Sequence, residues 1–177
     1  MGLRYENLDD ETRAFMLEEI ERDVTAEGIY LSPYLTQRAQ GDWPDFLREA
    51  VRSGSDDTLA RQLRAARSLN TTTMRRTRSG YTQAKVPHNA AEVMAEGEFN
   101  RFYVRGLCRR AMASGIARLE VYRAKAVSQP RPESERLIAL LIDPETVLID
   151  VRASTGVETA LGVPPGPGSG ISVRIPR

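Results

Sequence analysis

One histidine, His88, and one cysteine, Cys108, bound the chemistry open to this 177-residue chain. A nucleophile needs a base beside it, and the lone histidine sits in Pro87-His88-Asn89, where it reads as a turn or capping residue. Cys108 falls on the apolar face of a helical pattern, where cysteine behaves as a small hydrophobe rather than a thiolate. A zinc site built from histidine and cysteine is excluded by number, so no catalytic residue, no metal and no cofactor is assigned. Asp9, Asp10, Glu18, Glu19, Glu21 and Asp23 crowd one region. Such carboxylates at a helix start are commonly solvated, and only a magnesium-type site is left open there. The run Pro164-Pro165-Gly166-Pro167-Gly168-Ser169-Gly170 is not a phosphate loop, because no strand precedes it, no Lys-Ser/Thr follows and no helix begins.

The residues that could bind rather than react are basic. Arg75, Arg76 and Arg78 with Tyr81 lie within seven positions, and Lys85 follows. Guanidinium groups can neutralise phosphates and a tyrosine can stack on an unpaired base, while the same groups can equally meet an acidic protein surface. A second set, Arg101, Arg105 and Arg109, repeats at i, i+4 and i+8 on one side of a helix. Such a row pairs with carboxylates of neighbouring helices or reads an anionic partner; the first is the expectation, since buried arginines are normally paired.

The formal charge of +1 conceals an asymmetry. Residues 1–70 carry 9 Arg/Lys against 14 Asp/Glu, residues 71–125 carry 11 against 4, and residues 126–177 carry 5 against 6. An acidic first third could pair with the basic middle of another subunit, or the basic segment could face nucleic acid. Of the 25 basic residues only Lys85 and Lys125 are lysines, a skew that GC-rich coding produces and that weakens arginine counts as a phosphate signal. A chain of this length buries a core without staples, and one cysteine suits a reducing compartment. No apolar run approaches the roughly 20 residues that cross a bilayer, and the first residues lack the apolar stretch of a signal peptide. No membrane partner and synthesis in the cytoplasm are therefore expected.

The elements that hold these residues follow from hydrophobic spacing. Asp9-Asp10-Glu11 caps a helix whose apolar positions are Met16, Leu17, Ile20 and Val24. An extended piece from Ile29 to Leu35 leads to a second helix opening at Asp42-Trp43-Pro44, with Trp43, Phe46, Leu47, Ala50 and Val51 on one face. A third starts at Asp56, with Leu59, Leu63 and Ala66 inward and Arg61, Arg64 and Arg67 on a solvated edge. Polar, β-leaning runs on either side of Ser79-Gly80 predict a projecting hairpin over 71–87. Asn89 then caps a long helix from about Ala90 to Ser114 with two apolar faces, one of Val104, Leu107, Cys108, Ala111 and Met112, the other of Ala95, Phe99, Phe102 and Gly106. Two such faces mark a central helix, with Phe99, Phe102, Leu107 and Met112 in the core. A strand over Arg118–Val127, a helix over Glu133–Ile142 and another opening at Asp143-Pro144-Glu145 complete the domain. From Val163 the proline- and glycine-rich run reads as the start of an extended arm. In it Ile171, Val173 and Ile175 alternate with polar residues, as in a strand added to the sheet edge of a neighbouring subunit.

The expected fold class is α+β, with a single domain over 1–162 (helical 1–70, hairpin 71–87, then central helix, strand and C-terminal helices) and an arm over 163–177. The stretch Glu96-Gly97-Glu98-Phe99-Asn100-Arg101-Phe102-Tyr103-Val104-Arg105-Gly106-Leu107-Cys108-Arg109-Arg110-Ala111, with Val121-Tyr122-Arg123-Ala124-Lys125, resembles small uncharacterised proteins of actinobacterial phages and prophages over about residues 90–135. The resemblance implies a product of phage genes, for which a small non-enzymatic chain with extended arms fits a virion component. The expected function is thus a phage-type structural or assembly protein, a capsid or capsid-associated subunit acting in many copies. Its partners would be copies of itself or other virion proteins, and its final place the virion. The alternative is a nucleic-acid-binding regulatory protein that uses the basic hairpin.

Overall fold

The computed structural model describes residues 2–78 and 80–177. Six helices surround small antiparallel sheets, an α+β arrangement: α1 Asp10–Thr25, α2 Gln37–Ser53, α3 Asp56–Ala65, β1 Thr72–Thr77, β2 Gly80–Lys85, α4 Ala90–Ala113, β3 Leu119–Arg123, α5 Pro132–Glu135, β4 Leu141–Ile142, α6 Pro144–Ala153 and β5 Ile171–Arg174. The helix α4 is the axis, packing against α1, α3, α6 and β5. All ten residues from Phe99 to Cys108 are buried, as a helix with apolar groups on more than one face requires. Met112 departs from the expected core: it is 46% exposed, on the side of the last turn of α4 away from the fully buried Ala111. At Gly106 the backbones of α1 and α4 meet, and a Cβ there would lie 2.6 Å from Met16 Cγ and 2.9 Å from Met16 N.

Local signals account for several boundaries. Asp9 accepts a hydrogen bond from Thr12 N at the start of α1, and Asp143 accepts one from Thr146 N at the start of α6, with Pro144 in the first helical position. The second helix begins a turn and a half before the expected Asp42-Trp43-Pro44, since Thr36 caps it through Ala39 N. Pro44 therefore lies inside α2, where burial of Ala39 and Trp43 on the core side offsets the lost backbone bond. Leu59, Ala60 and Leu63 of α3 face inward, whereas Ala66 is exposed beyond its end.

Two C-terminal expectations are overturned. Residues 133–142 form not one helix but the single turn α5, followed by Ala139 at φ +65, and then β4. The left-handed residue lets Ala139 N donate to Val121 O while Val121 N donates to Leu140 O, so the chain swings onto β3 instead of continuing as a helix. The strand itself is Leu119–Arg123, shorter than 118–127. The supposed arm belongs to its own domain: β5 is the antiparallel neighbour of β3 in the order β4-β3-β5, with Val121 opposite Val173 and Arg123 opposite Ile171. Ile171 and Val173 are fully buried, and Ile175 packs partly buried against the same core. Val163, where the arm was to depart, is itself a core residue. The alternation was a true strand signal, but its pocket is made by this chain. Asn100 of α4 seals the join, donating to Ile171 O at 3.0 Å and accepting from Ser172 Oγ at 2.6 Å.

Phe102→Ala should lower stability by about 3–5 kcal/mol and Ile171→Ala by about 2–5 kcal/mol, whereas Met112→Ala should shift it by less than about 0.5 kcal/mol. Equilibrium urea unfolding of the three variants checks all three values. Removal of residues 163–177 should likewise collapse the cooperative transition rather than leave the melting temperature unchanged.

Candidate interaction surface

Hairpin and arginine row have opposite fates. In the hairpin, β1 and β2 pair from Thr72↔Lys85 to Thr77↔Gly80 and pack chiefly on each other. Only the root is half-buried, at Thr72, Thr73 and Ala84; Ser79 of the tip lies outside the described residues. Arg75, Arg76, Arg78, Tyr81 and Lys85 are all exposed, Tyr81 at 71% and its neighbour Met74 at 63%. The pleat sorts them. The cross-strand pairs Met74↔Gln83, Arg76↔Tyr81 and Thr72↔Lys85 share one face, and Arg75↔Thr82 lies on the other. No acidic residue occurs in 71–87, and Arg75, Arg76, Arg78 and Lys85 make no ion pair with a carboxylate of the described residues. The ribbon therefore presents four uncompensated cations, with Tyr81 and Met74 among them.

The row on α4 turns inward. Arg105, 1% exposed at its side chain, donates from Nε to Glu19 Oε2 at 2.8 Å and from Nη1 and Nη2 to the two Asp23 oxygens at 2.5 and 2.8 Å. Arg152 of α6 grips the same Glu19 at 2.5 and 3.0 Å. Arg109 pairs with Glu18 at 2.7 Å, and Arg110 pairs with Asp9 and Glu11. Arg101 breaks the expected pattern of carboxylate pairing: it donates to the carbonyls of Val151 and Ser154, at 2.8 and 3.1 Å, and to Thr155 Oγ1. It thereby satisfies the C-terminal end of α6, where the helix dipole favours a cation. Burial alone would raise the Glu19 carboxyl, but the hydrogen bonds of Arg152 and the charge of Arg105 outweigh it and hold the group below its ordinary value.

These pairs dissolve most of the charge asymmetry within one chain, since the acidic face of α1 is taken up by α4 and α6. Intersubunit pairing of the acidic third with the basic middle is thus not needed to match the acids of α1, and the hairpin keeps its cations exposed. On the edge of α3, Arg64 pairs with Glu92 at 2.6 Å while Arg61 and Arg67 are exposed. Among the described residues no group of three or more His, Cys, Asp or Glu side chains is placed to hold a metal ion. Cys108 is fully buried and its thiol is pushed up by that burial, while His88 is exposed in the turn before α4. No helix is long and apolar enough to cross a membrane among the described residues.

Sequence reasoning passed over a third feature. The loop 154–169, of which the run from Val163 was expected to start an extended arm, lies back over α4 and borders a cavity lined by Tyr30, Trp43 and Glu98. These residues sit on three separate segments with no shared spacing, and no local signal joins them. Comparison with protein-family models, curated proteins and solved structures finds no match.

Arg105→Ala would leave Glu19 and Asp23 short of their partner and should destabilise the fold by about 3–5 kcal/mol. The lowered Glu19 carboxyl binds fewer protons folded than unfolded, so its contribution is complete above its ordinary 4.5 and is lost as the pH falls through its folded value. Thermal melts between pH 7 and pH 3 should show this loss, and Glu19→Gln should be less stable at pH 7 with a flatter acid limb.

Proposed function

We propose that this chain is a non-catalytic assembly protein, a phage-type capsid or capsid-associated subunit that works in many copies and holds its neighbours through the hairpin. The observation that carries this reading is the hairpin itself, a ribbon whose described residues from Met74 to Gln83 are all exposed. It exposes Met74 and Tyr81, together with Arg75, Arg76, Arg78 and Lys85. Tyrosine, methionine and arginine are the side chains that interfaces favour, because they bring large contact area and multiple donors. The resemblance of residues 90–135 to phage proteins supports the virion setting. The C-terminal strand plays no part in these contacts, being consumed in cis.

One arrangement favours the second reading, a nucleic-acid contact. Arg76 and Tyr81 are direct cross-strand neighbours, and Lys85 lies on their face. A base stacked on the ring would bring its phosphates within reach of both cations.

Native mass measurement and sedimentation of the wild type and of the triple variant Arg75→Ser, Arg76→Ser, Arg78→Ser separate the two. Assembly predicts a high-order oligomer for the wild type and a shift to smaller species for the variant, at an unchanged melting temperature because the hairpin tip supports no core. A wild type that stays monomeric or dimeric and binds oligonucleotides with a steep salt dependence would replace assembly by the regulatory reading.

A further inference from the structure

The cavity between α4 and the loop 154–169 is a built feature. Its volume is about 290 Å³, near the lower end of small-molecule sites and room for roughly ten water-sized groups. Tyr30, Tyr34, Trp43, Val157 and Pro165 give it mostly apolar and aromatic walls. The loop is tied down on every side. Asp150 accepts hydrogen bonds from Ala160 N and Leu161 N at 2.9 and 2.7 Å, Glu96 accepts one from Gly168 N at 2.8 Å, and Pro167 rests on Gly97 of α4. Tyr30 lies against Gly156, which stands at φ +72; a Cβ there would meet the Tyr30 ring at 2.5 Å.

Into this enclosure falls one carboxylate without a complement. Glu98 is half-buried, and its carboxylate makes no hydrogen bond or ion pair with any described residue. The other acids of the lining are matched, Glu96 by Lys125 at 2.8 Å and Glu158 by Arg131 at 3.7 Å. The charged groups that act on Glu98 are Arg101 and Arg105 of its own helix and Asp23 of α1; its charge in turn adds to the burial that raises the Tyr30 hydroxyl on the segment before α2. Both arginines turn their terminal nitrogens elsewhere, Arg105 to Glu19 and Asp23, Arg101 to the end of α6. Desolvation therefore wins over their attraction and pushes the Glu98 carboxyl up to about 7. An acid left this way opposes folding whenever it is ionised, since the folded protein holds its proton more tightly than the unfolded chain does.

We infer that this cavity is a binding site for a small organic cation, a primary amine on an aromatic or compact apolar body, whose ammonium pairs with Glu98 while its body lies among Tyr30, Tyr34 and Trp43. The ammonium supplies the donors that Glu98 lacks, and the electron-rich ring faces favour a cation over a neutral isostere. An anion is disfavoured by the same carboxylate.

Benzylamine is a suitable probe, with benzyl alcohol and benzoate as its neutral and anionic counterparts, titrated calorimetrically into the full chain at pH 8 and pH 6. Benzylamine should bind at least tenfold more tightly than either counterpart at pH 8, and its affinity should fall at pH 6 as Glu98 takes up its proton. Glu98→Gln should remove the preference while melting no lower than the wild type at pH 8. In the wild type, the side-chain carboxyl carbon of Glu98 should shift towards the ionised position when benzylamine is added at pH 7, a readout that needs no variant. Equal affinity for amine and alcohol, a preference that survives Glu98→Gln, or a Glu98 resonance that does not move with benzylamine up to millimolar concentration would each overturn the site.

Discussion

Arg105 leaves the middle of α4 with no route to water and ends on Glu19 and Asp23, two carboxylates one turn apart on α1. A guanidinium so enclosed tolerates nothing less than full pairing, because an uncompensated buried charge costs several kcal/mol. That requirement fixes how α1 must lie on α4, and Gly106, the next residue, removes the side chain that would hold the two backbones apart. Arg152 joins the same carboxylate from α6, so Glu19 couples three helices through one group. Apolar packing supplies most of the favourable free energy around this crossing, through Met16, Ile20, Phe99, Phe102 and Leu107. The charges add registry, since a shift of α1 by one residue would carry both carboxylates away from Arg105.

Once α4 is placed, its remaining faces dictate the rest. Asn100 meets β5 and Arg101 meets the end of α6, so the chain between those two elements has both ends anchored to adjacent positions on α4. Its prolines and glycines then serve a closed path rather than an extended one, and the path is held by backbone hydrogen bonds to Asp150 and Glu96. The cavity is the space left under that path. Its walls come from the loop, from the segment ahead of α2, from α2 through Trp43 and from α4, and Glu98 faces it because it stands next in angle to the row that Arg101 and Arg105 occupy.

The hairpin is exempt from these constraints. It joins α3 to α4 at a half-buried root and carries no residue that the core needs beyond that root. Its four cations, Arg75, Arg76, Arg78 and Lys85, are among those that find no carboxylate in the described residues. The row on α4 is largely matched by the acids of α1, whereas the hairpin, with no acidic residue of its own, keeps its cations exposed.

What the sequence by itself determined was local. The Asp143-Pro144-Glu145 start of α6, the polar ribbon either side of position 79 and the two apolar faces of α4 were each legible, since caps, turns and periodicity act over a few residues. The inward reading of Arg105 was legible from its position between those faces, but not its partners, which lie 82 and 86 residues away in the chain. Residues 133–142 were misread because a short Leu- and Ile-rich run suits a helix or a strand alike, and pairing with β3 decided it. Ile171, Val173 and Ile175 declared a strand by alternation, yet alternation is the same whether the neighbour is another chain or β3 of this one. Only the tertiary structure could choose, because the choice rests on whether Asn100 and Val121 stand ready to receive that strand. The same holds for Glu98, whose isolation is a property of its surroundings and not of any spacing along the chain.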